Sequence, residues 1–197
     1  MQELTPDWLA FAQKHLGEVK KVTVRGWKHL ETGVWELEAE RGRAFLKNHR
    51  QKAKFEQELS VFQNILPYAL AVTPSLLAYD KAQRIMLLSA VPGELVDDLT
   101  ETHSFGDAVF EVYQQAGQFL RSYHDVPYKT GEELGVDDAV WQRAESWFKG
   151  AIPYVARADI DWFRDQVIEM LPALKTQKRV PCHRDYTGRN WLWQDKL

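Results

Sequence analysis

The hydrophobic period of this chain changes once, near residue 92, and that change limits the folds open to it. Upstream, Val22 and Val24 alternate with Thr23 and Arg25, and Trp35, Leu37 and Ala39 alternate with Glu36, Glu38 and Glu40. This is the two-residue period of half-buried strands. Ala44-Phe45-Leu46-Lys47 follows the turn-like Arg41-Gly42-Arg43, so residues 19 to 49 read as an antiparallel meander with Lys47 on its third strand. Apolar runs at 75–79 and 84–89 flank a turn at Asp80-Lys81 and extend the sheet. Beyond Val91-Pro92-Gly93-Glu94 the period becomes helical: Val109, Val112, Ala116, Phe119, Leu120 and Tyr123 form one stripe, and 137–149 and 158–174 predict further helices.

Two helices belong to the first half. Thr5-Pro6-Asp7 places a capping residue before a proline at the first helical position, and Leu4, Trp8, Phe11, Ala12 and His15 recur until Gly17. Phe55, Leu59, Phe62 and Ile65 or Leu66 predict a helix over 54–66, closed by Pro67. The pattern is α+β: a sheet lobe over 1–91 and a helical lobe over 92–197, with the cleft between lobes as the default binding place.

Composition narrows the class further. The 25 Lys and Arg against 28 Asp and Glu leave a formal charge of -3, so no whole-chain positive field favours nucleic acid as a partner. The one cysteine, Cys182, has no internal disulfide mate, which suits a reducing compartment. Met1-Gln2-Glu3-Leu4 lacks a signal-peptide pattern and no apolar run approaches bilayer length, so a cytoplasmic protein with no membrane partner is expected. Eight tryptophans and nine phenylalanines are read as core by default.

The residues richest in chemistry are Pro181-Cys182-His183-Arg184-Asp185-Tyr186-Thr187-Gly188-Arg189-Asn190-Trp191-Leu192-Trp193. His-Arg-Asp with Asn five residues after the Asp can bring a carboxylate to an acceptor hydroxyl and an oxygen ligand to a phosphate-bridging magnesium ion. Asp185 and Asn190 fit those roles, although Asp, Gly and Asn also serve as plain turn residues. Such chemistry asks for a lysine on the third strand and a glutamate on the next helix, and Lys47 and Glu58 satisfy it. Glu58 lies three residues after Phe55 and four before Phe62, on the apolar face, whereas Glu56 points away. Taken singly, Lys47 reads as a solvated strand lysine and Glu58 as a boundary residue.

In order along the chain, Gly42-Arg43-Ala44-Phe45-Leu46-Lys47, Phe55-Glu56-Gln57-Glu58-Leu59, Leu87-Leu88-Ser89-Ala90-Val91-Pro92-Gly93, Leu120-Arg121-Ser122-Tyr123-His124-Asp125 and Cys182-His183-Arg184-Asp185 resemble landmarks of the aminoglycoside phosphotransferase and choline kinase-like family. The resemblance implies a protein kinase-like bilobal fold binding ATP and Mg2+. Adenine would pair with backbone near Ser89, Ala90 and Val91, Lys47 would contact phosphates with Glu58 holding it, Asp185 would act on a hydroxyl of a small-molecule acceptor, and Asn190 would bind the metal. His124 is read as structural.

Departures from the pattern shape the remaining expectations. Neither Gly-x-Gly-x-x-Gly nor a Walker P-loop occurs, so the loop from Gly26 to Gly33 must cover the phosphates. Thr187 stands where protein serine/threonine kinases place lysine, which favours a small acceptor. The family continues to a second strand carrying an aspartate that chelates the metal and to acceptor-pocket helices, and Asp195 falls too early to be that ligand. The helical lobe is therefore expected to be C-terminally incomplete and this chain impaired in transfer, with the Trp191-Leu192-Trp193 strand left bare before a local hairpin. The alternative is a noncatalytic pseudokinase-like module. The acidic residues Asp97, Asp98, Glu101, Glu132, Glu133, Asp137 and Asp138 could meet a cationic acceptor but read as a solvated surface.

Overall fold

A computed structural model describes residues 3–26, 32–68, 73–101, 108–127, 135–178, 180–182 and 185–194. His183, Arg184, Glu132, Glu133, Asp195 and most of the loop between Gly26 and Gly33 lie outside the described residues. The chain divides into two compact units, Met1–Val126 with Cys182–Leu197, and Pro127–Pro181.

The first unit opens with α1 (Pro6–Leu16), whose cap is the expected one: Thr5 Oγ1 accepts from the Trp8 N–H at 3.3 Å. Gly17, at φ 76°, ends the helix, and β1 (Val19–Val24), β2 (Thr32–Ala39) and β3 (Gly42–His49) follow as the meander. Then come α2 (Lys52–Asn64), a 3-10 turn at Leu66–Tyr68, β4 (Leu76–Asp80) and β5 (Ile85–Ser89). The five strands form one antiparallel sheet in the order β1-β2-β3-β5-β4.

Strand alternation sends the two halves of each strand into separate cores. Trp35, Leu37, Ala44, Leu46, Ile85 and Leu87 face α1 and bury Ala12 and Leu16. Phe45, Met86 and Leu88 face α2 and pack on Phe55 and Leu59. Complete burial of a leucine such as Leu46 contributes about 1.5–3 kcal/mol, so the paired cores fix the register of β3, the strand that carries Lys47. The alternation misleads at two places. Val22 and Val24 are 40% and 43% exposed because β1 is an edge strand. Glu36, which reads as a solvent-facing residue, is buried, with the side chains of Arg25 and Arg43 held against its carboxylate.

After the sheet, Gly93 turns the chain at φ 118° into β6 (Glu94–Leu95), α3 (Val96–Glu101) and α4 (Ala108–Asp125). The stripe on α4 is the expected one, with Val112, Ala116 and Tyr123 buried. A 3-10 turn at Gly188–Asn190 leads into β7 (Leu192–Trp193). The bare strand expected there has a partner: β7 pairs antiparallel with β6, Glu94 opposite Trp193 and Leu95 opposite Leu192, and the Val96 N–H donates to the Trp191 carbonyl at 3.0 Å. Local pattern could not reveal this pairing, because about a hundred residues separate the two strands.

The second unit contains α5 (Val136–Ala151) and α6 (Arg157–Leu174), which pack on each other and bury Ala144 and Ile160. Reading aromatic residues as core holds for Trp35, Phe55 and Trp191 and fails here: Trp147, Tyr154, Trp162 and Phe163 are exposed. Two helices have too little inward face to bury every apolar residue they carry. Among the described residues, no helix is long and apolar enough to cross a membrane.

Candidate active site

Lys47 and Glu58 meet because strand and helix periods coincide at one place. Lys47 sits on the α2-facing side of β3, and Glu58 lies on the α2 face that also buries Phe55 and Leu59. Lys47 Nζ is 2.5 Å from Glu58 Oε1, with each side chain about three-quarters buried. The other carboxylate oxygen, Oε2, lies 3.0 Å from His49 Nε2. That ring nitrogen is close to the oxygen without being aligned as a hydrogen bond. Burial alone would push the Glu58 carboxyl up, but the His49 ring and the Lys47 ammonium more than offset it and hold it at about 2, so Glu58 is ionised at neutral pH. Glu56, by contrast, is exposed and lies 3.6 Å from Lys52 one turn away.

Asp185 and Asn190 are joined by the loop itself. Asn190 Nδ2 donates to the Asp185 carbonyl at 2.7 Å and to Asp185 Oδ2 at 3.1 Å, while the Asn190 N–H closes the 3-10 turn on the Thr187 carbonyl at 2.9 Å. Both side chains are exposed. Tyr186, between them in sequence, turns the opposite way. Its hydroxyl donates to the Ala116 carbonyl of α4 at 2.9 Å, and its ring lies against Phe119 and Trp191. Burial pushes the Tyr186 phenol up to about 12, so it stays a donor at any physiological pH. Arg189 reaches Asp97 on α3 at 3.3 Å, which occupies one of the acidic residues read as a solvated surface. The loop is thus anchored between Asp185 and Asn190, through Tyr186 and Arg189, while the side chains of Asp185 and Asn190 themselves are exposed.

A cavity of about 810 Å³ opens in the same unit, lined by Arg43 of β3, by Ala90, Val91, Pro92, Gly93 and Glu94 after β5, and by Leu99, Trp193 and Gln194. Ala90 and Val91 line it directly, and Ser89 stands one residue behind on β5. The Ser89 N–H is bonded to the Ser75 carbonyl at 2.9 Å and the Ala90 N–H to the Arg43 carbonyl at 3.3 Å. Among the described residues no backbone carbonyl takes the Val91 N–H, which makes it the donor of the three available to a ligand.

Three side chains that shape the site escaped sequence reading. Glu36 is buried and holds Arg25 at 2.7 Å and Arg43 at 3.7 Å, which ties a cavity-lining side chain to the sheet. Tyr186 and His49 are the others. Only His49 left a signal, since it stands two residues from Lys47 on the same face of the strand.

For a magnesium ion, hard oxygen donors are required, and Mg2+ is commonly held by one or two protein oxygens with substrate phosphates and water completing its shell. Asn190 fits: its amide nitrogen is spent on Asp185, which leaves Oδ1 as the acceptor. Among the described residues no cluster of three or more His, Cys, Asp or Glu forms a self-sufficient metal cage.

Solved structures of similar shape define the class. APH(2″)-IIa, solved with streptomycin and ATP, superposes with a TM-score of 0.67 at 9% identity, covering 99% of this chain and 68% of that one. The macrolide 2′-phosphotransferase MphH from Brachybacterium faecium gives 0.62 at 16% identity, over 97% and 68%. Choline kinase from Cryptosporidium parvum gives 0.56 at 9%, over 82% and 48%. The fold is that of the protein kinase-like phosphotransferases. Residues 26–197 match the phosphotransferase enzyme family, and the chain belongs to it. No curated protein matches in sequence.

Proposed function

We propose that this protein transfers the γ-phosphate of ATP to a hydroxyl of a small polar molecule. The bond from the γ-phosphorus to the ADP oxygen breaks, a bond to the acceptor oxygen forms, and the hydroxyl proton passes to the Asp185 carboxylate. Lys47, held by Glu58, binds the phosphates, and the Val91 N–H with the neighbouring Ala90 backbone orients the base in the cavity beside Ser89. Asn190 would hold magnesium, which when bound neutralises phosphate charge. A reducing, cytoplasmic setting suits the exposed thiol of Cys182.

The observation that carries this reading is the pairing of Asp185 with Asn190 on a loop anchored between them by Tyr186 and Arg189, within the unit that also holds the Lys47–Glu58 ion pair and the cavity. A chance turn has no need of that company. The acceptors named for solved relatives, streptomycin among them, belong to those proteins. For this chain the acceptor class is open to a phosphate-transfer screen of amino sugars, choline-like alcohols and sugars.

Asp185→Asn is the test. Asparagine keeps an oxygen for the Asn190 amide, so the loop survives, while the proton acceptor is gone. Turnover should fall by about 10²–10⁴-fold, the worth of a positioned general base, with magnesium-ATP binding retained. Unchanged turnover would sink the assignment, and nucleotide binding with no turnover in either form would favour a noncatalytic module.

A further inference from the structure

The Lys47–Glu58 pair has a third member that the phosphate-binding reading leaves unexplained. His49 is buried, its ring edge-on to Phe55 at 6.2 Å between centroids. Its backbone N–H donates to the Arg84 carbonyl at 3.0 Å, at the end of the β3–β5 pairing. Both ends of the residue are therefore fixed. Yet its ring nitrogens make no aligned hydrogen bond, a costly condition for a buried imidazole unless the ring does something else.

The contact it does make is Nε2 to Glu58 Oε2 at 3.0 Å, on the opposite oxygen from the one that takes Lys47. Lys47 and His49 are two residues apart on β3, so both project from the strand face that α2 covers. A carboxylate held at one oxygen turns about its last bond, and a lysine paired with it shares that freedom. A second fixed contact on the other oxygen sets the carboxylate plane and, through it, the place of the ammonium.

We propose that His49 is a positioning residue: it locks Glu58 from behind so that Lys47 is presented to the phosphates of the nucleotide. This rests on the reading that Lys47 binds phosphate, and it adds a requirement that reading does not contain. His49 touches no substrate, and it acts through Glu58. Partners that orient a metal ligand from behind change affinity or activity by about 10–100-fold when removed, and a loss on that scale is expected here.

The test compares magnesium-ATP with adenosine, because a merely loosened fold weakens both while a misplaced Lys47 weakens only the ligand with phosphates. Tryptophan fluorescence titrations of the full chain are run on wild type, Lys47→Met, His49→Leu and His49→Gln. Expected for His49→Leu is a loss of magnesium-ATP affinity of about tenfold or more with adenosine affinity unchanged, and recovery in His49→Gln, whose amide restores a polar nitrogen beside Oε2. Should the leucine variant not fold, His49→Phe keeps an aromatic ring and lacks the nitrogen that contacts Oε2. Equal loss for both ligands, no loss for either, or no recovery with glutamine overturns the proposal. If Lys47→Met binds magnesium-ATP as wild type does, the phosphate-binding reading itself fails. If only the histidine variants behave as wild type, that reading stands and the positioning role falls.

Discussion

Tyr186 shows how much one side chain can do to hold the loop that carries Asp185 and Asn190. Removing its hydroxyl breaks the bond to the Ala116 carbonyl and leaves the ring against Phe119 and Trp191. Tyr186→Phe should therefore lower stability by about 0.5–1.5 kcal/mol, read as a shift of the urea midpoint without a change in slope. Glu58 makes a prediction of opposite character, in pH. Its carboxyl falls from 4.5 to about 2 on folding, so its stabilisation is complete above pH 4.5 and drains away as pH falls toward 2. At its ceiling this amounts to about 3 kcal/mol, since each tenfold change in proton affinity is worth about 1.4 kcal/mol. Glu58→Gln should flatten that limb of the stability-pH curve, and an unaltered limb would show that other carboxylates govern it. At this scale the sequence was legible wherever side-chain placement follows the apolar pattern. Glu58 could be told from Glu56 by its place on the apolar stripe of α2, whereas buried Glu36 reads as an outward residue of β2 because its two arginine partners, Arg25 and Arg43, follow no local period.

Elements were easier to read than their partners. The cap at Thr5, the meander, the helix after it and the long stripe on α4 all follow from short-range periods, which are set by local geometry. The pairing of β6 with β7 does not, because no local period encodes a contact between distant segments. That small ladder matters, since Gly93, Glu94 and Trp193 line the cavity. Gly93 holds φ 118°, and a Cβ there would meet the Trp193 carbonyl oxygen at 2.9 Å and its carbon at 3.0 Å, both backbone atoms. Gly93→Ala must therefore strain the turn and push the ladder apart, at a cost of about 1–3 kcal/mol. Magnesium-ATP affinity should fall with it. Leu46→Ala is the contrasting case: the side chain is wholly buried under α1, and its loss should cost about 2–5 kcal/mol in a chemical-denaturation experiment. Because Leu46 points away from Lys47, nucleotide affinity of the folded fraction should hold.

For the molecule as a whole, the α+β class follows from the change of period at residue 92, yet the compact units do not divide there. The segment Cys182–Leu197 belongs with the sheet, and the helical pair of the second unit stands between them in sequence. Local composition cannot show this, because membership in a unit is decided by long-range contacts such as Tyr186 with α4 and β7 with β6. The consequence is thermodynamic. Strand β3, the cavity and the Asp185–Asn190 loop share one unit, so a ligand that engages them all should stabilise that unit as a body. Magnesium-ATP at a hundred times its dissociation constant adds about 2.7 kcal/mol to the folded state. For a chain of this size that corresponds to a rise in melting temperature of about 5–10 °C. Lys47→Met, at the same nucleotide concentration, should lose most of that rise because its binding is weaker, while its melting temperature without nucleotide reports separately on the broken ion pair. A full shift in the variant would mean that the nucleotide is held without the lysine, and the phosphate site would have to be sought elsewhere in the chain.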